Sequence, residues 1–312
     1  MNPAFSVIFL TTLIGAGQGL FLALFVIEVL VAAGQLLAPA VMFYVAGHVI
    51  ALLLLMAGLL ASFFHLGHPE RAWRAAAMWR TSWLSREVIV LPVFMVIVAA
   101  GGWAHGQGWP GTLWLGAIGA VVCFALFLCT GMIYACIKFL QEWASALTLV
   151  NFTLLGCASG VTLATVLAAA LGEPVTSGLG AWAIVLTCAG LVTRGASLWR
   201  NARLKPRSTL QTAIGIKHPR IVQKAQGFMG GSFNTREFFH GRTPGALRAV
   251  KWLFLTGAFV IPLLLLAGGL AASSPGLLWL ACAVQFCGLI AERWFFFAQA
   301  NHPQNLYYQA VS

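Results

Sequence analysis

Runs of about twenty apolar residues recur along this chain, and they leave it few ways to fold. A run of that length spans a bilayer. Lipid offers no partner to an exposed backbone N–H or C=O, so each run is expected to close its hydrogen bonds internally, as a helix. The runs fall near residues 5–33, 40–64, 88–104, 114–137, 144–171, 179–198, 252–272 and 277–298. The third is the shortest, and its start is open to extension by a few residues. Turn signals separate several of them: Gly-Gln-Leu-Leu-Ala-Pro, Gly-Gln-Gly-Trp-Pro-Gly, Gly-Glu-Pro-Val-Thr-Ser-Gly and Ser-Ser-Pro-Gly. No internal repeat suggests two inverted halves. The expected architecture is an all-α integral membrane protein, one transmembrane domain over residues 1–312 with about eight helices.

Charge excludes a soluble domain and orients the bundle. Only 8% of the residues are charged, against roughly 25% in an ordinary globular protein. The four breaks just quoted contain no Lys or Arg. All 18 basic residues fall at the opposite ends of the helices or in the loops there. Lys and Arg favour the cytoplasmic side, so both termini and the two large loops are expected in the cytoplasm, with the bundle in a bacterial inner membrane. The first run has no basic residue before it and reads as a retained helix rather than a cleaved signal. Seven cysteines lie singly in apolar segments with no Cys-x-x-Cys, which indicates neither a zinc nor an iron-sulfur site. They read as small packing residues.

The longest polar segment, 199–248, holds ten basic residues and one acid, Glu237. Attraction to anionic lipid headgroups is the plain explanation. Aromatic and glycine-rich pieces such as Gly-Phe-Met-Gly-Gly-Ser-Phe favour a surface that packs on a soluble protein partner, and nothing points to nucleic acid.

An ionisable residue in or beside a span is costly and therefore a functional candidate. Those here are Glu28, His48, His65, Glu87, Glu142 and Glu292. The densest group is Phe-Phe-His65-Leu-Gly67-His68-Pro-Glu70-Arg71-Ala-Trp-Arg74, followed by Trp79-Arg80-Thr-Ser-Trp83-Leu-Ser85-Arg86-Glu87. His65 ends the second helix and Glu87 opens the third, so one loop places them at similar depth. A quinone headgroup needs hydrogen bonds to its carbonyl oxygens, apolar walls and a proton path. A histidine titrating near neutrality and an adjacent acid supply the last of these. Alternatively, His65 marks the interface and Glu87 pairs with Arg86 or Arg80. His48 reads as a packing residue, His105 as a solvated loop residue, Glu28 as interfacial, and Glu292 and Arg293 as satisfying local charge. His48 and His65 share one helix about 25 Å apart, so a bis-histidine haem is not expected.

The His65–Arg74 and Trp79–Glu87 motifs resemble the membrane anchor family of dimethyl sulfoxide reductase. So do the start Asn-Pro-Ala-Phe-Ser-Val-Ile-Phe-Leu and the end Glu292-Arg-Trp-Phe-Phe-Phe-Ala-Gln-Ala-Asn-His-Pro. The resemblance covers essentially the whole chain. It implies a haem-free anchor for an iron-sulfur subunit, which in turn carries a molybdopterin catalytic subunit. It also implies a ubiquinone or menaquinone site lined by His65 and Glu87, with Gly67 and Arg71 shaping the pocket. The loop from Gln211 to His240 is most similar to the branch that anchors cytoplasmic sulfite dehydrogenase. The charge-derived topology agrees with that branch, because it puts the His65–Glu87 end in the cytoplasm. Sulfite oxidation feeding the quinone pool is the expected activity of the complex. The alternatives are a quinol-fed reductase with the same anchor, or a transporter, which would need polar residues lining several helices.

Overall fold

In a computed structural model, eight helices among the described residues are long and apolar enough to cross a membrane. The structure describes residues 1–64, 66–222, 224–225 and 238–307. The helices are α1 (Phe5–Ala32), α2 (Val41–Phe63), α3 (Trp83–Gly106), α4 (Thr112–Ala135), α5 (Ala146–Leu171), α6 (Thr176–Ala202), α7 (Pro244–Ala271) and α8 (Pro275–Ala298). Each of the eight apolar runs is thus one helix. The largest departures are at the basic end, where α3 starts at Trp83 and α7 at Pro244. Both starts are capped: Ser82 Oγ accepts from the Ser85 amide, and Thr243 Oγ1 from the Ala246 amide. Ser82→Ala is expected to cost about 1 kcal/mol, visible as a small drop in the thermal midpoint of the solubilised protein.

Helix α1 packs on α2 and α5, α3 bridges α2 and α4, and α5 continues the packing to α6 and α8. Apolar attraction between helices is weak in lipid, so close backbone approach carries the packing. Gly15 and Gly19 on α1 face Gly156 and Gly160 on α5. A Cβ on Gly160 would lie 2.1 Å from the Gly19 carbonyl carbon, so no other residue fits there. Helix α7 contains a π-helical turn at Thr256–Val260, just before Pro262. Proline cannot donate into the helical ladder, and the wider turn absorbs that fault.

Among the described residues, three shorter elements, all at the basic end, lie outside the apolar pattern. They are a 3-10 segment Pro69–Met78, a single turn Leu210–Ile214 and a final 3-10 turn Pro303–Tyr307. The four links at the other end carry no Lys or Arg.

Candidate functional site

Glu87 sits in the second turn of α3, placed there by the Ser82 cap. It is only 7% exposed. Thr130 of α4 donates its hydroxyl to Glu87 Oε1. Arg86, one residue away, turns elsewhere: its guanidinium donates to the Trp79 and Arg80 carbonyls at 2.9 and 2.8 Å and lies over the Trp83 ring. Among the described residues Glu87 has no ion-pair partner, which removes the reading in which Arg86 or Arg80 neutralises it. One turn beyond Thr130, the Tyr134 ring packs with Trp143, Phe152, Phe296 and Phe297 at centroid distances of 5.4 to 5.6 Å. Glu87 therefore stands at the edge of an aromatic cluster with a hydroxyl beside it.

His65 lies outside the described residues. Gly67 and Arg71 are exposed in the link between α2 and α3, where Arg71 Nε lies 3.7 Å from Glu70 Oε1. The Pro69–Met78 segment packs on α3. No hydrogen bond or ion pair joins Gly67 or Arg71 to Glu87 among the described residues.

The opposite end holds a cluster that residue-by-residue reading misses. His105 is not a solvated loop residue: it lies in the last turn of α3, stacked on Tyr44 at 4.5 Å, with Nε2 3.6 Å from Glu28 Oε2. His48 is buried with its ring centroid 5.4 Å from that of His105, and its Nδ1 bonds the Tyr44 carbonyl at 2.8 Å. Gly101 and Gly102 make the room, since a Cβ on either would come within 3 Å of the His48 side chain. Glu28, His48, Gly101 and His105 border a cavity of about 10 Å³, the size of one water. Taken singly the three residues do not announce it, because the spacing between helices is not a sequence period.

Arg194, counted by sequence among the basic residues at the helix ends, is buried, as is Arg293. Arg194 is 2% exposed inside α6, with Nε 2.7 Å from Glu292 Oε1 on α8. Arg293 holds the other oxygen of Glu292 at 3.0 Å and lies 3.8 Å over the Phe152 ring. Two buried cations thus share one buried anion. Among the described residues, no group of three or more His, Cys, Asp or Glu is disposed to hold a metal ion.

A comparison with known families bears on the eight-helix architecture. The model of the DMSO reductase anchor subunit (DmsC) matches residues 1–297. The chain belongs to the DMSO reductase anchor subunit family. It is also 55% identical to a subunit of the sulfite dehydrogenase of Allochromatium vinosum over 325 aligned residues, covering 100% of both chains. As a DmsC-type anchor, the protein is a multi-pass membrane protein, and the transporter alternative falls away. The relative's name agrees with the sulfite dehydrogenase likeness of the Gln211–His240 loop.

Proposed function

We propose that this anchor passes electrons from cytoplasmic sulfite oxidation to the membrane quinone pool. Its own part is to bind the quinone near Glu87, supply protons to it and hold the soluble subunits on the membrane. The observation that carries the reading is Glu87 itself: a carboxyl group buried in a span, hydrogen-bonded to Thr130 and joined to no cation among the described residues. Such a group is costly to keep unless it has work to do. The 55% identity to a sulfite dehydrogenase subunit supports the substrate of the complex.

Reduction of a quinone to a quinol takes up two electrons and two protons. The electrons come from an iron-sulfur subunit, fed in turn by a molybdopterin subunit that oxidises sulfite. Glu87 holds one proton for a quinone oxygen, and Thr130 keeps the carboxyl group oriented. His65, next along the chain from Phe64, is the second proton-handling group, and the Tyr134 cluster offers apolar walls. Gly67 and Arg71 shape the loop above. The basic end faces the cytoplasm. There the link from α6 to α7, together with the exposed Trp73 and Trp79 of the α2–α3 link, forms the docking surface for the iron-sulfur subunit.

Purification of the complex through a tag on this chain tests the reading. The expected result is co-purifying molybdenum and iron with sulfite-dependent reduction of a ubiquinone analogue. Metal-bearing partners that pass electrons only in the opposite direction, from quinol to a sulfoxide, would overturn the sulfite assignment. A preparation without such partners would overturn the anchor function.

A further inference from the structure

A ladder of polar side chains joins α6 to α8. Thr187, Arg194 and Asn201 follow at seven-residue steps on α6, and Gln285, Glu292 and Gln299 do so along α8 and its cap. Gln285 Nε2 donates to Thr187 Oγ1 at 3.0 Å, Arg194 meets Glu292 at 2.7 Å, and Asn201 Nδ2 donates to Gln299 Oε1 at 3.5 Å. Seven helical residues advance about 10 Å, so the ladder runs roughly 20 Å from the basic end into the membrane.

Interhelical glue accounts for paired rungs. It does not account for the polar atoms left over. Glu142 Oε2, Gln299 Nε2, Asn151 Oδ1 and Arg194 Nη2 are buried with no hydrogen-bond partner among the described residues. Asn151 reaches α6 through its other atom, donating to Ser197 Oγ at 2.7 Å. Buried acceptors and donors in one seam are the partners that internal water requires. At the basic end the seam opens into a cavity of about 290 Å³ lined by Gln141, Glu142, Asn201, Arg207, Thr209 and His302. At its inner end the Phe152 ring, next in chain to Asn151, stacks on Tyr134 at 5.4 Å. Tyr134 lies one turn from Thr130 on α4, and Thr130 donates its hydroxyl to Glu87.

We propose that the seam between α5, α6 and α8 is a hydrated proton-uptake path, running from Glu142 past Gln299 and Asn151 to Tyr134 and Glu87. This rests on the quinone-reducing function proposed above. Each proton that Glu87 gives to the quinone is replaced by one drawn from water at the basic end. The two electrons come from the iron-sulfur partner, so no net charge is left in the bundle. The Arg194–Glu292–Arg293 cluster carries one surplus positive charge. A fixed arginine charge repels protons in a pore, so the cluster closes the path beyond Asn151 and turns protons toward Tyr134 rather than across the membrane.

Basic residues gather around the 138–144 stretch that carries Glu142. Arg200 of α6 holds the Gln141 and Ala144 carbonyls, Arg207 follows on the next link, and Lys138 lies before the loop. The Met1 amino group is within electrostatic reach, and burial lowers it to about 6. His302 lines the same cavity, and burial pushes its imidazole down as well. Glu142 is thus an acid among basic neighbours at the mouth of the path.

The test uses the intact complex, comparing sulfite-driven reduction of a short-tailed ubiquinone analogue with that of ferricyanide, which takes electrons without protons. Glu142→Gln is expected to slow quinone reduction about tenfold above neutrality, with less loss at acid pH and recovery in Glu142→Asp. Ferricyanide rates and the yield of complex stay as in the wild type. Asn151→Leu, which plugs the seam, shows the same pH-dependent loss. Wild-type quinone rates in Glu142→Gln across the neutral range would overturn the path, as would a loss that does not vary with pH. A wild-type complex that reduces ferricyanide but no quinone would instead overturn the function on which the path rests.

Discussion

Glu87→Gln is expected to cut quinone reduction by the complex roughly 100- to 1,000-fold, the scale of a lost general acid. The amide matches the carboxyl group in size and keeps a hydrogen bond with Thr130, so helix α3 and the bundle stay in place. What it lacks is an exchangeable acid proton. Sulfite oxidation with a soluble dye proceeds unchanged, because that electron path ends before the membrane. Thr130→Val is expected to give a milder loss in the same assay: the acid remains but loses the hydroxyl that orients it. If Glu87→Gln instead removed the soluble subunits from the membrane, Glu87 would be a packing residue.

The second large effect is on stability. Glu292→Gln leaves Arg194 and Arg293 buried together with no anion between them. Breaking a buried pair by removing one partner costs about 3–5 kcal/mol, enough that little folded complex is recovered from membranes. Adding Arg194→Met removes one of the two stranded cations and restores the wild-type sum of charge in the cluster. The double variant is therefore expected to regain most of the lost yield and thermal midpoint. A double variant as unstable as Glu292→Gln alone would mean that the Arg194 side chain is needed for packing against Phe254 and Phe295 rather than for charge.

The helices are legible in the sequence because the solvent dictates them: an apolar run in lipid has no other way to satisfy its backbone. The starts of α3 and α7 are less so, since Trp83–Arg86 and Pro244–Lys251 are polar or mixed turns that lie at the edge of the apolar pattern. Glu87 stands out because an acid bordering a span is rare in itself. Its release from Arg86 does not, as it depends on Arg86 bending back to the Trp79 and Arg80 carbonyls. The Glu28–His48–His105 cluster draws on three helices, and no spacing along one helix announces it. The α6–α8 ladder does leave a trace: polar residues at seven-residue steps in two otherwise apolar helices. Counting Arg194 simply as one more basic residue at a helix end hides it.

The measurement that tests the account most directly is photolabelling of the membrane-bound complex with an azido-quinone, followed by mapping of the labelled peptides. Label is expected at the basic end, on the α2–α3 link up to Glu87 and on α4 around Thr130 and Tyr134, competed by unmodified quinone. Label confined to the other end, around His48, His105 and Glu28, would contradict it.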